Sequence, residues 1–265
     1  MQNTAIESLS MNATQSKEVI SIQGLSVRYN RHLVLENIHL SVKERDFIGL
    51  IGPNGGGKTT LFKVLLGLAK PVSGRVKILD KNIRRGRRYI GYVPQLAKFD
   101  RDFPINVWEV VRMGRLGKRP LLKSYTAKDD EVVAQVLQQV EMWHLRDRPM
   151  GELSGGQQQR TYIARALASE PEILLLDEPT ASIDPQLSAS IYDLLEKLNE
   201  NITILMVSHD MGAIASHVKS VGCLNRHLYY HGEKLLTPEM LEEAYQCPID
   251  LIAHGVPHRV YPEHP

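Results

Sequence analysis

One stretch restricts the fold before anything else is read. Asp46-Phe47-Ile48-Gly49-Leu50-Ile51 is a short apolar run with the character of a buried strand. Gly52-Pro53-Asn54-Gly55-Gly56-Gly57-Lys58-Thr59-Thr60 follows it, and Leu61 to Leu68 then reads as a helix. Strand, glycine loop and helix in that order form the context that a phosphate-binding loop requires. The glycines let the backbone bend so that several N–H groups point at one phosphate chain, and the helix N-terminus adds positive potential there. At this spacing Lys58 reaches the β and γ phosphates of a nucleotide, and the Thr59 hydroxyl is placed to ligand Mg²⁺.

The rest of the chain reads as layers around this unit. Val19 to Tyr29 alternates as a strand with a bulge at Gly24, and Val34 to Val42 alternates again, giving an antiparallel layer ahead of the loop. Pro71-Val72-Ser73-Gly74 is a turn leading into a short strand from Gly74 to Leu79. Lys81 to Arg88 is basic and reads as a solvated loop. Ile90 to Gln95 is a strand ended by Pro94. Helical spacing then appears at Val107 to Met113 and at Ala127 to Trp143, with a Lys/Pro/Gly-rich linker from Gly117 to Ser124 between them. The pattern is that of a helical insertion in an α/β core, which resumes with a strand at Ile173 to Asp177, a helix near Gln186 to Leu198 and a strand at Ile202 to Val207.

Three further groups carry chemistry. Ile173-Leu174-Leu175-Leu176 ends in Asp177 and Glu178. Ligands gather at the carboxyl ends of parallel strands, so Asp177 is placed to hold Mg²⁺ through its water shell and Glu178 to polarise a water against a γ-phosphate. His209 directly follows the apolar run that ends at Val207-Ser208, at the same edge, and can donate to a phosphate oxygen. Leu153-Ser154-Gly155-Gly156-Gln157 precedes a helix running to Leu167, which makes a second anion-binding helix tip. A single nucleotide does not need two such tips from one protomer. Two protomers facing head to tail, each closing the nucleotide of the other, resolve this.

On these residues the chain resembles the ATP-binding subunit of an ABC (ATP-binding cassette) transporter, from about Val19 to Asn225. The resemblance implies an α/β P-loop NTPase core with an antiparallel β layer and an inserted α-helical subdomain. It divides the chain into a disordered lead-in (1–17), an ATPase domain (18–225, helical subdomain about 96–152) and a histidine-containing C-terminal extension (226–265). It also implies roles. Tyr29 stacks on adenine, and Gly52 to Thr60 form the Walker A loop. Gln95 is the Q-loop glutamine, sensing Mg²⁺ and touching the membrane partner. Leu153 to Gln157 form the signature, Asp177 is the Walker B aspartate, Glu178 the catalytic glutamate, Ser182-Ile183-Asp184 the D-loop and His209 the switch histidine. The nucleotide contacts are therefore Tyr29, Gly52, Pro53, Asn54, Gly55, Gly56, Gly57, Lys58, Thr59, Thr60, Ser154, Gly155, Gly156 and Gln157. Catalysis falls to Glu178, His209, Lys58 and Gln95, and Mg²⁺ to Thr59, Gln95 and Asp177. Gly56 stands where serine or alanine is common, and Ile183 where leucine is; neither removes a ligand.

The implied assembly is a homodimer with two ATP and two Mg²⁺, bound to two integral-membrane permease subunits at the cytoplasmic face of the inner membrane. Phe99 to Arg115, Cys223 to His227 and Cys247 to Arg259 resemble the importer branch for zinc, manganese and iron, which is fed by a metal-binding solute receptor. The alternatives are the same motor with another cargo, or a soluble ABC ATPase acting on DNA or ribosomes. A net charge of +2 gives no bulk electrostatic case for nucleic acid, and there are no sustained heptads. Two cysteines, Cys223 and Cys247, make no disulfide framework and fit a reducing compartment. No apolar run approaches the ~20 residues needed to span a bilayer. Met1 to Lys17 lacks a signal-peptide core, and Met11 is an alternative start. Histidines cluster late, at His227, His231, His254, His258 and His264. His254 and His258 with Cys247 offer zinc ligands, but Gly255 and Pro257 oppose a helix presenting both imidazoles. The preferred reading is a docked or mobile tail without metal; a zinc-sensing tail is the alternative.

Overall fold

A computed structural model describes residues 17–95, 103–118, 120, 123–181 and 183–231. Ser182, Cys247, His254, His258, His264 and Phe99 to Asp102 lie outside the described residues, as does nearly all of the lead-in and most of the C-terminal extension.

β1 (Glu18–Tyr29) and β2 (His32–Lys43) form an antiparallel hairpin, with a register shift between Ile22 and Leu25 at the bulge read at Gly24. β3 (Phe47–Ile51) is buried along its whole length and leads into α1 (Lys58–Leu65). β4 (Ser73–Ile78) and β5 (Lys81–Asn82) complete a four-stranded sheet in the order β2-β1-β4-β5. After α2 (Ile83–Gly86) comes β6 (Ile90–Val93). The next segment is helical, with α3 (Val107–Arg112), α4 (Ala127–Gln139) and α5 (Gly155–Leu167). The chain continues with β7 (Ile173–Asp177), α6 (Pro185–Asn199), β8 (Thr203–Val207), α7 (Met211–His217), β9 (Ser220–Asn225) and β10 (His227–His231). The second sheet has the order β10-β9-β3-β8-β7-β6, parallel except for the edge strand β10.

Strand alternation divides the interior into two cores. Ile48, Leu50, Ile173, Leu175, Leu205 and Val207 face the antiparallel layer and α1. Phe47, Ile51, Leu174, Leu176, Ile204 and Met206 face the opposite way, into the helical segment and α6. Successive side chains of a strand point to opposite faces, so a sheet buried on both sides needs continuously apolar strands, as these are.

Five sequence expectations are corrected. The first helix begins at Lys58 and stops at Leu65 rather than Leu68. Gly67 takes φ +70°, and the N–H groups of Gly67 and Leu68 bond back to Val64 O and Lys63 O, which is a Schellman stop. The same stop ends α4 at Gln139 instead of Trp143, with Glu141 at φ +61° and Met142 N–H on Leu137 O. The basic run is not a loop. Asn82 caps α2 by accepting from Arg85 N–H at 3.1 Å, and a 3₁₀ turn spans Arg87–Tyr89, while Arg84, Arg85, Arg87 and Arg88 remain exposed. The linker begins later than Gly117, because a 3₁₀ segment runs from Met113 to Lys118. It is anchored by the buried Arg115, whose guanidinium donates to Asp129 at 2.9 Å, to Ala168 O at 2.8 Å and to Glu170 at 2.6 Å. The sheet also continues past residue 225, since β10 pairs with β9 as far as His231.

Candidate functional site

β3, β7 and β8 run parallel and adjacent, so the residues just beyond their carboxyl ends meet at one edge of the sheet. After β3 the chain turns through Gly52 at φ +149°, where a Cβ would lie 2.0 Å from Leu224 O; no other residue fits. Gly57, at φ +100°, is the N-cap of α1, and no side chain caps that helix. Its first N–H groups are therefore left for a ligand. The back of the loop is fixed by the β9–β10 turn: Arg226 N–H donates to Gly56 O at 3.0 Å, and Glu36 N–H to Arg226 O at 2.8 Å.

Lys58 is 6% exposed, and its ammonium donates to Gly52 O at 2.8 Å and Pro53 O at 2.9 Å. Burial lowers its pKa, while Glu178 and Asp177 pull it back up. An ammonium in this position is only partly compensated by its carbonyl partners and has strong affinity for further negative charge.

The last residue of β7 is Asp177, 4% exposed. Burial raises its carboxyl pKa, and the nearby Glu178 adds to the rise. Hydrogen bonds from Thr59 and Tyr92 and the charge of Lys58 offset part of it. Tyr92 O–H donates to Asp177 Oδ2 at 3.5 Å, and the phenol is itself pushed up to about 12 by burial and by Asp177. Glu178 sits in the left-handed region at φ +50°, with its N–H on Val207 O at 2.9 Å. A glutamate held there marks a backbone constrained by its surroundings. Its two oxygens are held from two directions: Gln95 Nε2 donates to Oε2 at 2.9 Å, and His209 Nε2 lies 2.6 Å from Oε1.

Lys58, Thr59, Asp177, Glu178, Gln95 and His209 thus form one contiguous set. Asn54 and Gly55 are exposed on the loop, and Thr60 is half-buried behind it. Tyr29, at the end of β1, is 45% exposed, an aromatic free to take a stacking partner. Ser154 to Gln157 are not part of this set. Ser154 caps α5 in a full capping box, Gln157 N–H on Ser154 Oγ at 3.3 Å and Ser154 N–H on Gln157 Oε1 at 3.0 Å. α5 packs on α3, α4 and the edge strand β6, while the loop follows β3. Among the described residues no hydrogen bond or ion pair joins residues 154–157 to the loop or to this set. Sequence reading missed Tyr92, which carries no motif, and it missed that Gln95 and His209 both hold Glu178.

The ABC transporter family matches residues 35–181, more than half of the chain. The manganese transport system ATP-binding protein MntB of Halalkalibacterium halodurans is 42% identical over 231 residues, covering 86% of this chain and 92% of that one. The zinc uptake system ATP-binding protein ZurA of Listeria monocytogenes is 41% identical over 221 residues, covering 82% and 86%. Among solved structures, the ADP conformation of an ATP-binding cassette of an ABC transporter superimposes with a TM-score of 0.74 at 25% identity, covering 88% of this chain and 96% of that one. A dimeric post-hydrolysis cassette bound to ADP and Pi gives 0.67 at 27% identity, covering 82% and 100%.

Proposed function

The chain belongs to the ABC transporter family, as an ATP-binding subunit, and from that premise we propose that it drives uptake of a divalent metal ion, zinc or manganese. ATP is its substrate, and hydrolysis is coupled to transport through permease partners in the membrane. The metal cargo rests on the manganese and zinc systems to which the similar subunits belong, and it brings with it a metal-binding solute receptor outside the membrane. No helix among the described residues is long and apolar enough to cross a membrane, so the subunit's attachment at the cytoplasmic face is assigned to two permease subunits.

One observation carries the proposed chemistry: Glu178 is held by Gln95 and His209 at the same sheet edge where Lys58 and Thr59 open α1. Gly52 to Thr60 cradle the phosphates, Lys58 offsets charge on the γ-phosphate, and Tyr29 stacks on adenine. Glu178 takes the proton of an attacking water. His209 exchanges its bond with Glu178 for one to a γ-phosphate oxygen, and Gln95 relays the change to the permease. The hydroxyl of Thr59, the carboxylate of Asp177 and the amide oxygen of Gln95 are hard oxygen donors, and Thr59 already bonds Asp177, so the set suits Mg²⁺. Bound there, Mg²⁺ would neutralise phosphate charge as the β–γ bond breaks.

Ser154, Gly155, Gly156 and Gln157 lie apart from their own loop, which supports a head-to-tail pair in which each tip meets the nucleotide of the other copy. We assign residues 18–231 to this motor, with the helical subdomain near 96–152 as its permease-facing arm.

The test is Glu178→Gln. Removing a positioned base costs about 10²–10⁴ in rate, so turnover falls by that factor, ATP binding persists, and a dimer accumulates with ATP on a sizing column. Turnover equal to the parent's would refute the assignment. Energised vesicles holding the permease then report the cargo by uptake of zinc or manganese.

A further inference from the structure

Beside Glu178 and His209 lies a cleft of about 730 Å³ whose far wall the motor does not use. That wall joins the two helices that leave the catalytic edge: α6, which starts directly after Ile183-Asp184, and α7, which starts just after His209 and ends at His217. The His217 ring lies flat on Tyr192 of α6, with centroids 4.9 Å apart and planes at 8°. His217 Nδ1 is 2.7 Å from Glu196 Oε1. Asp193 precedes Glu196 by three residues and shares its helix face. One ligand atom from each of Asp193, Glu196 and His217 lies within 4.8 Å of the other two.

We propose that Asp193, Glu196 and His217 form a site for a divalent transition-metal ion, and that an ion there acts as a brake on the motor. An imidazole with two carboxylates is a donor set for zinc, and with lower affinity for manganese. Ligands at ~2.0–2.2 Å from zinc sit roughly 3.3–3.6 Å from each other, so Asp193 has to close by only about an ångström, and Glu196, 2.7 Å from Nδ1, has to open by about half of one. Both acids are exposed and reach that by rotation. The imidazole is the member that costs most to orient, and the stack on Tyr192 has already oriented it. Tyr192 in turn touches Thr180 of the loop after Glu178, oxygen to oxygen at 3.3 Å.

The brake arises from where the two helices begin. An ion bridging α6 to the end of α7 fixes α7 against the segment that carries Glu178. His209 then stays on Glu178, the contact it must leave to reach a phosphate. Accumulated cargo would slow its own import. The identity of the metal rests on the cargo proposed above; the donor set does not.

The experiment uses the full chain. Zinc chloride is titrated calorimetrically into the parent and into Glu196→Gln, Asp193→Asn and His217→Phe, the last keeping a ring for the stack. Losing even an outer-shell partner weakens metal sites by roughly 10–100-fold, so each variant should lose at least that much affinity in one equivalent, with equivalents held elsewhere unchanged. In the ATPase assay, each variant should need at least ~10-fold more zinc for half-inhibition, scored against its own metal-free rate. Equal equivalents and affinities in all four proteins would overturn the site. Site affinity lost in the variants with identical zinc inhibition in all four would overturn the brake, because the ion would then be acting at the nucleotide. A protein that keeps the site while its vesicles import another solute retains this inference and loses the cargo.

Discussion

α1 and α5 are the two helices whose N-termini are proposed to meet nucleotide, and they begin differently. α1 starts behind Gly57 in a left-handed conformation with no side chain over its first turn, and a buried lysine heads it. α5 starts behind Ser154 in a closed capping box. The first helix leaves its terminal N–H groups dependent on something outside the chain; the second satisfies two of its own. Yet Ser154 Oγ only accepts in that box, so its proton remains for a further acceptor. One tip is completed by the nucleotide it holds. The other is folded beforehand and adds a donor to something brought to it. That asymmetry is what a pair of copies requires: a loop that grips first and a tip that is ready when the partner arrives.

The contrast breaks most visibly at the two glycines. In Gly57→Ala the new Cβ would meet Leu35 Cδ2 at 2.5 Å and Val34 O at 3.0 Å, in a left-handed backbone. Such strain costs about 1–3 kcal/mol, and the loop loses its shape, so nucleotide affinity should drop by more than ~10-fold in a fluorescent-ATP titration. In Gly156→Ala the Cβ would only touch Leu187 at 3.6 Å, in a helix that prefers alanine by roughly 0.5–1 kcal/mol. That variant should melt no lower than the parent and bind ATP equally well as a monomer, yet fail to turn over once a partner must close on it. Equal losses of monomer affinity in both variants would mean that the two tips serve one nucleotide within one copy.

Asp177 sharpens the contrast from the side of the grip. Its carboxyl is raised by burial, so the folded chain binds more protons there than the unfolded chain between the ordinary carboxylate pKa and the raised value. Stability therefore falls as pH climbs through that window, and the ionised acid is a cost to the ligand-free fold at neutral pH. Asp177→Asn should melt at least as high as the parent near pH 7, with an advantage that shrinks as the pH is lowered toward 4. ATP hydrolysis should meanwhile be lost. Melting curves taken across that range check the sign; a deficit constant with pH would refute it.

How much the chain announces in advance depends on how local each feature is. β3, β7 and β8 are five-residue apolar runs that stop at glycine, acid or serine-histidine, and such runs identify themselves. Residue type at those strand ends singles out Lys58, Asp177, Glu178 and His209, and the end of β6 adds Gln95. That Gln95 and His209 close on the two oxygens of Glu178 depends on strand order, to which spacing is blind. The end of α4 is hidden because a non-glycine residue, Glu141, takes the left-handed stop, and the end of α1 because Gly67 lies inside the apolar run Leu61 to Leu68. The burial of Arg115 is not legible in the sequence, because its partners, Asp129 and Glu170, sit on other elements. The basic run became helical through a cap at Asn82 and the tight approach of Gly86 to Ile78, neither of which its charge reveals.

The smallest expected effect separates the two duties of Ser154. As a cap, its hydroxyl accepts from Gln157 N–H, and Ser154→Ala should cost about 1 kcal/mol. That corresponds to a lowering of Tm by roughly 2–4 °C in a chain of this size. Aspartate caps as well as serine and places its charge favourably at a helix N-terminus, so Ser154→Asp should restore that loss in a thermal melt. A carboxylate at this tip would, however, confront the phosphates of the partner's nucleotide. Like charges repel there, and the donated proton is gone. Ser154→Asp should thus be the more stable variant and the less active one, with the ATP-dependent dimer absent on a sizing column while monomer affinity is kept. Parental turnover in Ser154→Asp would show that the tip never faces phosphate, and α5 would be a capped helix with no part in hydrolysis.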